Sequence, residues 1–74
     1  MARDITIHGL QRLQQRNISR EDVESALNRP TGRITPGKPG SVWRWGYAVN
    51  GEILKVCVRA DDPNTVITAV WPDR

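Results

Sequence analysis

Apolar residues recur at helical spacing in the first third of the chain and alternate with polar ones in the rest. Ile7, Leu10 and Leu13 share one side of a helix over residues 7–16, with Thr6 as its N-cap. Asn17 suits the left-handed position that ends such a helix, and Ile18 supplies the apolar contact that accompanies it. Ser19 ahead of Arg20, Glu21 and Asp22 predicts a second N-cap with acidic residues in the first turn, where the helix dipole favours them. Val23, Ala26 and Leu27 form that helix's apolar stripe, and Pro30 stops it near Asn28 or Arg29. Residues 1–30 therefore read as a helical hairpin.

From Thr31 to Ser41 the composition turns to Gly, Pro and Ser, with Arg33-Ile34-Thr35 as a short strand and residues 36–40 as a loop. Two β-runs, Val42 to Val49 and Glu52 to Arg59, flank Asn50-Gly51, the pair that best suits a two-residue type I′ turn. Such a turn sets Tyr47 opposite Leu54, Trp45 opposite Val56 and Trp43 opposite Val58, an aromatic and aliphatic face. The alternate positions pair Ala48 with Ile53, Gly46 with Lys55, Arg44 with Cys57 and Val42 with Arg59, which gathers three cations on the other face. Residues 60–64 form a turn cluster and Thr65 to Trp71 a further strand. A turn that keeps Val58 near Ile67 adds Ala69 and Trp71 to the apolar face. Arg3-Asp4-Ile5-Thr6 carries a weak signal for an extra edge strand.

Two amphipathic helices need a surface to cover, and the Trp43, Trp45, Tyr47, Leu54, Val56, Val58 face needs covering. The expected architecture is a two-layer α+β domain over residues 1–74. Two N-terminal helices pack on one face of a three- to four-stranded antiparallel sheet drawn from residues 31–74, whose other face is open.

With 74 residues there is room for one modest core. The net charge is +3, and the eleven cations are nine Arg and two Lys, a bias toward the planar, bidentate group that suits phosphate and carboxylate. Residues 31–59 carry most of the positive excess, so the central hairpin is the basic part. Cys57 is the lone cysteine and His8 the lone histidine, which excludes a disulfide within the chain and a Cys-based metal cluster. No apolar run is long enough to span a bilayer or to form a signal-peptide core. The expectation is a soluble cytoplasmic protein, a monomer or weak homodimer, with no cofactor and no metal.

Arg44, Lys55 and Arg59, interleaved with small or apolar residues on two adjacent strands, are the sharpest candidates for holding phosphates or stabilising charge on a phosphoryl group. Against this stands the ordinary preference of a sheet's solvent face for polar residues. His8, Arg12 and Arg16 recur at i, i+4 and i+8 on the helix side away from Leu10 and Leu13. His8 is the natural acid or base near neutral pH, and Arg12 a phosphate anchor, although a solvated helix face is the more ordinary explanation of the stripe. Trp43, Trp45 and Trp71 are of the type that stacks bases, but strand parity assigns Trp43 and Trp45 to the core.

The stretch His8-x3-Arg12-x3-Arg16-Asn17-Ile18-Ser19-x2-Asp22-Val23-x2-Ala26-Leu27-x2-Pro30, followed by Ile53 to Val58 and Val66-Ile67-Thr68-x2-Trp71, resembles the small bacterial "domain of unknown function four-two-five-eight" family. Members typically read H-A-x2-R-x3-R-G-I-S-x2-D-V before three antiparallel strands. This chain departs by Gly9 for Ala, which weakens the helix slightly, and by Asn17 for Gly, which keeps the left-handed preference. That family is similar in layout to the RelE, barnase and colicin-type ribonucleases, whose open sheet face meets RNA. The resemblance implies a toxin-like RNA-binding domain and a metal-independent endoribonuclease, with a cognate antitoxin or immunity protein as partner. His8, Arg44, Lys55 and Arg59 would then be catalytic, and Arg12, Arg16, Arg33 and Lys38 would bind RNA. The alternative is a non-catalytic module for nucleic acid or an acidic protein.

Overall fold

The computed structural model describes residues 4–73. Thr6 caps the first helix, α1 (Ile7–Gln15), by accepting the Gly9 amide on its hydroxyl, as its side chain predicts. The helix ends in a Schellman motif: Asn17 takes φ 55°, the Ile18 amide donates to the Leu13 carbonyl at 2.9 Å, and buried Ile18 lies against Leu13. Ser19 and Asp22 form a reciprocal capping box at the start of α2 (Arg20–Asn28). Asp22 also accepts the Val49 amide at 3.2 Å, tying the helix start to the loop of the central hairpin.

Five strands follow the order β1-β5-β4-β3-β2, with β1 Asp4–Ile5, β2 Pro30–Pro36, β3 Ser41–Tyr47, β4 Ile53–Arg59 and β5 Thr65–Val70. This corrects the expected three to four antiparallel strands. Asp4 and Ile5 do form the weakly signalled edge strand, but parallel to β5, so the sheet is mixed. Arg3 of that segment lies outside the described residues. The strand expected over Thr65 to Trp71 is present as Thr65–Val70, and Ala69, expected on the apolar face, is buried opposite Val56. Between Cys57 and Val58 the register shifts, so Val58 meets Val66 rather than Ile67. The turn before β5 is held by Asp62, whose carboxylate accepts the Thr65 hydroxyl at 2.7 Å and the Asn64 amide at 3.2 Å. Those hydrogen bonds, the Thr65 one foremost, hold Asp62 below the usual carboxylate pKa.

The largest correction concerns the hairpin register. Ala48 pairs with Glu52 through a 2.8 Å bond from its amide, leaving Val49, Asn50 and Gly51 as a three-residue loop. Only Gly51 takes positive φ (85°), where a type I′ turn would need it at Asn50 as well. Asn50 instead accepts the Glu52 amide on its side-chain oxygen at 3.0 Å. One added loop residue slips the pairing by one: Tyr47 meets Ile53, Trp45 meets Lys55, Trp43 meets Cys57 and Arg44 meets Val56. Because strand side chains alternate, that slip reassigns an entire strand to the opposite face.

The helices therefore cover a different surface from the one expected. Leu54, Val56 and Val58 are fully buried with Ala48, Val66, Ala69, Val23, Ala26 and Leu13. On β3 their same-side neighbours are Val42, Arg44 and Gly46. Helix α2 packs on β3 and β4, and α1 on β5. The α2 contact is close because Gly46 has no side chain: a Cβ there would run into the Ala26 backbone carbonyl. Gly9 does the same for α1, where a Cβ would lie 2.5 Å from the Ile67 carbonyl oxygen. Neither described helix is long and apolar enough to cross a membrane.

Candidate nucleic-acid interface

The face away from the helices carries Ser41, Trp43, Trp45 and Tyr47 from β3, and Ile53, Lys55, Cys57 and Arg59 from β4. Registers with the neighbouring strands add Thr35 from β2 and Thr68 and Val70 from β5. The aromatics expected in the core thus stand on the open sheet, Trp43 and Trp45 half-buried beside long cationic side chains and Tyr47 exposed. Arg33 lies 4.2 Å from the Trp45 ring centroid, and the Lys55 ammonium 5.0 Å from Trp45 and 4.4 Å from Trp43. Trp45 so receives a cation from each neighbouring strand, with its indole N–H fixed by a 3.0 Å bond to the Thr35 hydroxyl. Tyr47, 38 % exposed, carries Arg29 at 5.9 Å.

Of the sequence-predicted residues, Lys55 and Arg59 are on this face and Arg33 joins them through Trp45. Arg59 is bound at both ends by the Asp61 carboxylate, at 3.1 Å from Nε and from a terminal nitrogen. Arg16 reaches β5, donating to the Thr68 hydroxyl at 3.1 Å and the Ala69 carbonyl at 2.9 Å, while its own carbonyl accepts the Trp71 indole N–H. Lys38 sits in the loop between β2 and β3. Arg44 does not belong to the cluster. The one-residue slip turns it to the helix side opposite Val56 and Ile34, where its Nε is buried with no hydrogen-bond partner among the described residues. His8 and Arg12 lie on the exposed surface of α1, and their side chains make no hydrogen bond or ion pair with a described residue.

Beside Trp43 the open face deepens into a groove of about 850 Å³ between the β2–β3 loop and β5, lined by Trp43, Cys57, Ile67 and Thr68 with Lys38 and Arg59. Its loop wall closes on itself: the Ser41 amide and hydroxyl both donate to the Lys38 carbonyl, at 2.9 and 2.8 Å, and the Gly37 amide to the Ser41 carbonyl. Cys57 is 6 % exposed. No group of three or more His, Cys, Asp or Glu among the described residues is placed to hold a metal ion.

Trp43, Trp45 and Tyr47 are the open-face residues that the two-residue turn hid. The signal that finds them is the small pair Gly46 and Ala48, which alternates with the aromatics and marks the strand face a helix approaches closely.

A model of the family described as "Domain of unknown function (DUF4258)" matches residues 5–71. No curated protein and no solved structure matches the chain.

Proposed function

We propose that this chain, which belongs to the DUF4258 family of domains of unknown function, binds single-stranded RNA on its open sheet face. The observation that carries the proposal is the alternation Arg33, Trp45, Lys55, Trp43, a run of indoles and cations across three adjacent strands. Bases stack on aromatic side chains for about 1–3 kcal/mol each, whereas an exposed cation–π contact is worth about 0.5–1 kcal/mol. An incoming base therefore displaces Lys55 or Arg33 from an indole, and the released cation turns to the phosphate beside that base. Each cation thus has a resting place in the free protein and a partner in the complex.

Binding accounts for the arrangement better than cleavage does. The endoribonuclease of the family resemblance, with its RelE-like layout, needs a proton donor or acceptor beside the phosphate held by the cations. His8 is on the outer surface of α1 and Arg44 is on the helix side of the sheet, so neither joins the Trp and Lys cluster. The buried thiol of the lone Cys57 accords with the reducing cytoplasm as the setting.

The test is titration of a fluorescent single-stranded oligoribonucleotide at several salt concentrations, with the same RNA run on a denaturing gel afterwards. The expected result is saturable binding that weakens as salt rises, with the RNA intact and with perturbed tryptophan fluorescence. Binding to a polyacidic peptide with equal strength and no fluorescence change would favour the acidic-protein partner instead. Chain cleavage lost in His8→Ala would restore the ribonuclease.

A further inference from the structure

The groove beside Trp43 is built differently from the rest of the open face. Trp45 is met by cations from both neighbouring strands, whereas among the described residues Lys55 is the one cation over Trp43, which otherwise borders the groove. Ile67 and Thr68 form the opposite wall because the irregularity in the β4–β5 pairing lies there, where an even ladder would have continued a flat sheet. At about 850 Å³ the groove falls in the roughly 300–1,000 Å³ range of small-molecule sites. Its shape does not depend on a ligand, since Ser41, Lys38 and Gly37 hold the loop wall by their own hydrogen bonds.

Its chemistry is divided between an apolar interior and a cationic rim. Trp43, Ile67, Pro36 and Pro39 offer flat or aliphatic surface, and the rim carries Lys38 and Arg59. Arg59 is held in place by Asp61, which offsets much of its charge. Lys38 has no ion pair with a described residue and is the cation best able to take a phosphate. A planar apolar body with an anion at one end is the complement of this arrangement.

We infer that the groove is a subsite for one nucleotide unit, its base lying against Trp43 and its phosphate on Lys38. The inference rests on the open face binding RNA and adds to it an anchoring pocket at one end, so that a single nucleoside monophosphate is the smallest ligand. The chain threads from the Trp45 ladder past Trp43 and places one base in the groove.

Cys57, at the floor and the lone thiol of the chain, serves as reporter. Uridine 5′-monophosphate is titrated into the protein, followed by the rate of Cys57 modification with a thiol reagent and by amide and indole NMR shifts. A single-stranded oligouridylate and inorganic phosphate are run in parallel. The expected result is a several-fold slowing of Cys57 modification by the mononucleotide, with shifts at Trp43, Ile67 and Thr68. That protection is lost in Trp43→Ala and in Lys38→Glu, both checked for an unchanged fold by their remaining NMR signals. Equal protection by inorganic phosphate would overturn a nucleotide occupant. Oligouridylate that shifts Trp45 and Lys55 while the groove residues and Cys57 stay unaffected by either nucleotide would sink the subsite and leave the RNA face standing. Protection by the mononucleotide without oligomer binding would keep the subsite and remove the RNA face. No response to any nucleotide would remove both.

Discussion

Two positions where a side chain is missing fix how closely the helices sit. Gly46 lets the Ala26 carbonyl rest on β3, and nothing but hydrogen fits there. Gly46→Ala should cost about 1–3 kcal/mol, the usual range for overpacking, read as a lower urea midpoint with little change in slope. An unchanged midpoint would mean that α2 is not seated on Gly46. Gly9 shows why intrinsic preference is the weaker force here. Alanine would improve the helix by about 1 kcal/mol, yet its Cβ would lie 2.5 Å from the Ile67 carbonyl oxygen. The departure that looked like a small helical weakness in the sequence is what seats α1 on β5. Asp62 is a residue whose protonation bears on the turn before β5. Hydrogen bonds from Thr65 and Asn64 lower its folded pKa, so its contribution to the turn is present at neutral pH and is lost as pH falls through that lowered value. An NMR titration should place the Asp62 midpoint below the ordinary aspartate value, and Thr65→Val should raise it.

At the scale of elements, the helix ends were legible. The Ser19 N-cap with its acidic first turn, the left-handed Asn17 and the stop before Pro30 each depend on residues within a few positions of one another. The central hairpin was legible as a hairpin but not in its register. Asn50-Gly51 serves either a two-residue loop with both residues left-handed or a three-residue loop with Gly51 alone so, and the choice falls to the core. The three-residue loop buries Leu54, Val56 and Val58 opposite Gly46, Arg44 and Val42, with α2 seated on Gly46, instead of opposite three bulky aromatics. Gly51→Ala should therefore cost about 1–2 kcal/mol for forcing a Cβ into positive φ. Asn50→Ala should cost less, since it removes the side-chain bond to the Glu52 amide without backbone strain. Equal losses in chemical denaturation would point back to a type I′ turn.

For the molecule as a whole, that single residue of register decides which side chains the sheet leaves open. The basic, Arg-rich character of the central hairpin was visible in composition, and Lys55 and Arg59 were placed on the open side correctly. Arg44 and the three aromatics exchanged sides, because parity carries one loop residue's error along the entire strand. The outcome is a sheet whose helix side is aliphatic except for Arg44 and whose open side interleaves indoles with Arg33 and Lys55. The most direct measurement is the affinity of Trp45→Ala for single-stranded RNA, set beside His8→Ala and the unaltered protein at one salt concentration. An RNA face built on the indole ladder predicts a loss of about 1–3 kcal/mol in Trp45→Ala, roughly 5- to 150-fold in Kd, with His8→Ala within about twofold of the unaltered protein. Full affinity in Trp45→Ala, or a large loss in His8→Ala alone, would contradict it.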